Sequence, residues 1–85
     1  MTEPPALDPA IRSRLLRAQK NEITEHQIYT TLATMVAGSH NREVIEKIAA
    51  EELSHYRTWK AHTGQDVAPD RLKVIFYCAI CRIFG

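Results

Sequence analysis

Apolar residues recur along the first part of the chain in steps of four and three. Ile11, Leu15 and Ala18 open the series, and Tyr29, Leu32 and Val36 close it. Glu22 and Glu25 fill the two places between. This spacing is the seam of a packed helix. A second series follows with Ile45, Ile48, Glu52, His55, Trp59 and His62, again in steps of three and four. Each series predicts a helix whose apolar line is interrupted midway by polar side chains, on the face that should be buried. The last segment differs: Leu72, Val74, Ile75, Phe76, Tyr77, Ala79, Ile80, Ile83 and Phe84 leave hardly any polar face.

Local signals set the boundaries. Asp8 is the N-cap candidate for the first helix, and Pro9 suits the first helical position. That helix is expected from Pro9 to Ala37, with Gly38 as its left-handed stop. Arg12, Arg14, Arg17, Lys20 and Gln27 lie off the seam and should be solvated. Ser39 or Asn41 caps the second helix, Glu43 and Glu46 favour its first turns, and it runs to Thr63 with Gly64 as its stop. The short connection predicts an antiparallel hairpin. Gln65 to Pro69 form a loop, and Pro69-Asp70 opens a third helix reaching almost to Gly85. The expected division is a disordered tail over 1–8, containing Pro4-Pro5, and one helical domain over 9–85.

The polar interruptions carry the chemistry. Glu22 and Glu25 are three residues apart, as are Glu52 and His55. Three residues is close to one helical turn, so each pair shares a face. Buried charge is costly unless it is paired or bound to a metal. Two facing helices interrupted in this way are explained together if the four side chains share a cation. A carboxylate-bridged metal pair needs about four to six carboxylate and imidazole ligands from several helices. Glu22, Glu25, Glu52 and His55 are about half of such a site, and two copies about a two-fold axis would complete it. Tyr29, seven residues after Glu22, is placed to hydrogen-bond a ligating carboxylate. The competing reading is a polar layer that only fixes helix register.

Composition narrows the classes. The formal net charge is +1, and no basic stripe with interleaved aromatics occurs, which argues against nucleic-acid binding. With 85 residues, one copy builds only a modest core. The nearly all-apolar third helix therefore needs a cover, from a tight oligomer or from a longer chain of which this is a piece. Cys78 and Cys81 are too close together to staple the fold, which reads as a reducing compartment. No secretory signal or bilayer-spanning stretch is visible, so the expected address is cytoplasmic.

The remaining residues take plainer roles. Trp59 reads as core. His62 reads as a capping or partly solvated residue near a helix end, and His26 and His40 as surface or turn residues. Glu51 points about 100° away from Glu52 and should face solvent. Cys78-Ala79-Ile80-Cys81 lacks the second ligand pair of a zinc site and the βαβ setting of a redox pair, so its thiols read as small apolar groups.

Glu22 with Tyr29 seven residues on, followed on the next helix by Glu52-x-x-His55, resembles the iron-site half-repeat of the ferritin-like superfamily, with rubrerythrin as the nearest type. The wording from Gln19 to His26 and from Asn41 to Val44 is similar to the ferritin-like domain fused to vacuolar-type membrane iron transporters. The resemblance spans Ile11 to Phe84. It implies an all-α, ferritin-like antiparallel hairpin plus a third apolar helix, holding half of a full domain, whose four-helix bundle is completed by dimerisation. It implies a di-iron site, with manganese or zinc as substitutes, that oxidises Fe(II) with dioxygen or peroxide. Glu22, Glu52 and His55 would be the catalytic ligands and Glu25 a further ligand. The implied partners are metal ions, a second copy or higher even oligomer, and a membrane iron transporter linked in a longer protein. Two rivals stand beside this reading: a metal-sensing or metal-delivery domain without turnover, and a structural dimerisation module.

Overall fold

The computed structural model describes residues 7–84, so the tail expected over 1–8 falls mostly outside the described residues. The chain is all-α, with α1 at Pro9–Met35, α2 at Ser39–Thr63 and α3 at Arg71–Phe84. α1 and α2 pack as an antiparallel hairpin, and α3 lies along α1. The Cα envelope measures 51 × 24 × 14 Å. α2 and α3 each pack on α1 and not on one another. The three helices therefore form a single layer with α1 in the middle and both broad faces open.

The helix ends follow local chemistry. Asp8 caps α1, its carboxylate accepting from the backbone N–H groups of Ala10 at 2.8 Å and Ile11 at 3.4 Å. Pro9 fills the first turn, where a missing N–H costs nothing. Gly64 ends α2 at φ 66°, and its N–H returns to the Lys60 carbonyl at 2.7 Å. Asp70 precedes α3 and accepts from the Lys73 N–H at 3.1 Å. Its own N–H donates to the Thr24 hydroxyl at 2.9 Å, which ties the start of α3 to α1.

The first turn departs from the expected one. α1 stops at Met35, two residues early, because Val36 is extended at φ −84°, ψ 133°. Gly38 is not the stop of α1. At φ 91° it is the N-cap of α2, and the reversal between the helices uses its freedom there. α2 then starts at Ser39, so Ser39 and Asn41 lie inside the helix and neither caps it.

The buried line is rotated from the predicted seams. On α2 it runs through Ala49, Tyr56 and Thr63, every seventh residue. On α1 the buried residues are Gln19, Thr24 and Ala33. Ile11, Glu25, His55 and His62, all placed on the seams by their spacing, are exposed. The physical reason is the single layer. Each seam looks partly at the neighbouring helix and partly out of the layer, and only the first half is covered.

Candidate metal centre

Two hydrogen-bonded clamps set the rotation of α1 against α2. The first is at the far end of α2. Gln19 is fully buried; its Nε2 donates to the Gln65 carbonyl at 2.7 Å, and its Oε1 accepts from the Thr63 hydroxyl. Arg12 joins it, donating to the Thr63 carbonyl at 3.0 Å and to Gln65 Oε1 at 2.9 Å. Arg12 is thus a tether between the helix and the loop rather than a freely solvated cation. The second clamp is His26, whose Nδ1 bonds the Ala49 carbonyl oxygen at 2.7 Å. A carbonyl only accepts, so this fixes the proton on Nδ1 and places His26 at the interhelix contact, not on the surface.

Between the clamps, Glu22 of α1 meets Glu52 and His55 of α2. One ligand-capable atom from each lies within 4.8 Å of the others. His55 Nδ1 stands 3.4 Å from Glu22 Oε2 and 3.8 Å from Glu52 Oε1. The two carboxylates are largely covered, with side chains 22% and 16% exposed, whereas His55 is 57% exposed. The group therefore opens on one broad face of the layer, with the imidazole at its rim.

Glu25, the fourth residue of the set, stands outside this triad and touches it through Glu52. A carboxyl–carboxyl hydrogen bond with Glu52 raises the pKa of Glu25, and burial and the Glu52 charge push the same way. Lys73 and His55 pull it back. Glu52 is also raised, first by its hydrogen bond with Glu22, then by burial and the charge of Glu22, against the opposing effects of Glu25 and His55. Crowding of this kind makes carboxyls bind protons more tightly, and a cation would compete with those protons. The donor set is hard and anionic with one imidazole nitrogen, which suits iron, manganese or zinc rather than a soft-ligand metal.

Glu25 also forms one wall of a cavity of about 300 Å³ between α1 and α3, with Tyr29, Lys73, Tyr77 and Cys81 among the other walls. Tyr29 sits on this side and makes no hydrogen bond to a carboxylate among the described residues, contrary to the role its spacing suggested. Trp59 is half-buried, and Glu51 and His40 face solvent as expected. Cys78 and Cys81 are free and half-buried.

Sequence reasoning missed Gln19, Arg12, His26, Tyr56 and Thr63. One signal was present: Ala49, Tyr56 and Thr63 repeat at intervals of seven. Tyr56 adds a third tether. Its hydroxyl donates to Asp66 Oδ1 at 2.9 Å and accepts from the Val67 N–H at 2.9 Å, which folds the loop after α2 back onto that helix. No helix among the described residues is long and apolar enough to cross a membrane. No protein family, curated protein or solved structure matches the chain.

Proposed function

We propose that this chain is an iron-binding half-domain of ferritin-like type, and that two copies close a four-helix bundle around a shared di-metal site. The observation that carries the reading is the convergence of Glu22, Glu52 and His55 within 4.8 Å, held between two interhelix clamps. Two carboxylates and an imidazole from one chain are half of what a metal pair needs. The opening of the group on a bare face of a single-layer hairpin is where a second copy supplies the rest.

In this reading Glu22 and Glu52 would be the anionic ligands. His55 is the neutral ligand at the rim. Glu25, hydrogen-bonded to Glu52, takes up or releases a proton as the charge of the site changes. Ferrous ions, when bound by these residues, would supply the electrons for reduction of dioxygen or peroxide. Glu22, Glu52 and His55 would then be the catalytic residues, as the groups that hold the reacting ions. Carboxyl crowding favours this over a register-setting layer, because a layer that only fixes register has no need of carboxyls whose charges oppose one another.

The test is addition of Fe(II) to metal-free protein without air, followed by admission of air in an oxygen electrode. Tight iron binding followed by oxygen uptake supports the proposal. Tight binding without uptake would assign the chain to metal sensing or delivery. Absence of tight binding would leave the polar group a structural device.

A further inference from the structure

α3 leaves a large apolar surface in the open. It meets α1 through Val74, Cys78 and Cys81, which are half-buried. At about 100° of rotation per residue, Leu72, Phe76 and Ile83 stand on the opposite side of the helix. They are 81%, 60% and 74% exposed. Scattered apolar residues on a surface need no explanation, but a continuous face along a whole helix does.

Charge decides what covers it. α3 contains Arg71, Lys73 and Arg82 and no acidic residue. Arg71 and Arg82 border the apolar face along one edge, and Lys73 lies toward α1, in the wall of the cavity that it shares with Glu25. Lys73 interacts with the Glu25 charge, which leaves Arg71 and Arg82 as the cations of the outward face. A second α3 laid on this face would set these cations against their own copies. An anionic surface reverses the sign of every one of those interactions. A helix with a broad apolar face edged by arginines has the pattern of one lying in a membrane interface. Its 14 residues span about 21 Å, short of the roughly 30 Å hydrocarbon core, so it lies on a bilayer and does not cross one.

We propose that the outward face of α3 docks on the surface of an anionic lipid bilayer, with Leu72, Phe76 and Ile83 below the headgroups and Arg71 and Arg82 against the phosphates. This rests on α3 alone and is independent of the metal site.

The experiment is co-sedimentation of the whole chain with vesicles of phosphatidylglycerol and phosphatidylcholine, and with vesicles of phosphatidylcholine alone, at low and at molar salt. Binding is expected on the anionic vesicles, strongly reduced on the neutral ones and lost at high salt. Arg71→Gln and Arg82→Gln should each weaken it about fivefold. Leu72→Glu and Ile83→Glu should remove it, with helicity unchanged because both positions are exposed. Failure to bind anionic vesicles, or equal binding to both kinds, would overturn the proposal. So would a smaller lipid-free assembly in Leu72→Glu, which would assign the face to a second copy of the chain.

Discussion

His26 on α1 holds the Ala49 carbonyl oxygen of α2 at 2.7 Å, and this contact lies four residues after Glu22 and three before Glu52. Gln19, three residues before Glu22, holds Thr63 and Gln65 at the other end. The candidate ligands thus sit between two polar tethers that fix both the rotation and the register of the hairpin. A single layer of helices has little apolar burial to do that work: Ala33, Ala49 and Tyr56 are the buried apolar residues among those described.

The triad should dominate metal binding. Glu22→Ala, Glu52→Ala and His55→Ala should each lose tight metal binding while circular dichroism stays helical. Glu25→Ala, acting through Glu52, should weaken binding by only about ten- to a hundredfold. Equilibrium dialysis with metal analysis distinguishes the two classes. Unchanged metal content in Glu52→Ala would contradict the assignment.

The raised carboxyls make the metal-free protein sensitive to pH. A carboxyl whose pKa is raised on folding binds its proton more tightly in the folded state. Its stabilising contribution is therefore complete below the unfolded glutamate pKa and is lost as pH rises through the folded value. Glu25 and Glu52 are both raised. The melting temperature of metal-free protein should fall as pH climbs from the ordinary glutamate range toward neutrality. Glu52→Gln should flatten that slope and melt a few degrees higher at neutral pH, while losing the stabilisation that metal gives the native chain. Thermal melts across pH, with and without metal, check both parts.

Gln19→Ala should be among the most damaging single changes. It leaves the Thr63 hydroxyl and the Gln65 carbonyl without their buried partner, a cost of about 1–3 kcal/mol. Because Gln19 is one turn from Glu22, metal affinity should fall as well, although Gln19 touches no ligand. Urea unfolding and metal titration of the same variant measure the two effects.

Tyr56→Phe should loosen the loop after α2 rather than the hairpin. It removes the hydroxyl that bonds Asp66 and Val67, about 0.5–1.5 kcal/mol. Asp66 is held below its usual range by the Lys60 ammonium at 2.8 Å and then by Tyr56. A lowered carboxyl stabilises above its unfolded pKa and loses that contribution as pH falls through the folded one. Faster hydrogen exchange at Val67 in Tyr56→Phe, with exchange in the middle of α1 unchanged, is the expected signature.

Much of the layout is legible in the chain itself. Asp8-Pro9, Gly64 and Asp70 mark helix ends by local chemistry, and local chemistry is what a sequence displays directly. The meeting of Glu22 with Glu52 and His55 follows from two helices of known period joined by a short turn. What spacing cannot show is rotation. Seams at Leu15 and Ile48 and buried lines at Gln19 and Ala49 have the same helical period and differ only in which neighbour covers them. Gln19 and Thr63 are polar, so a reading of apolar positions passes over them, and only their mutual hydrogen bond makes them core. His26 reads as a surface residue because nothing in the sequence marks the Ala49 carbonyl as its partner. A glycine between two helices suits the end of one or the start of the next, so spacing alone does not show that Gly38 serves α2.

The central claim is that the site is shared between two copies. The most direct measurement is Fe(II) titration of metal-free protein without air, followed by sedimentation velocity at each ratio. One tightly bound iron per chain in a species twice the mass of the chain is the predicted result. A monomer that binds two irons tightly, or an assembly that forms without binding any, would contradict it.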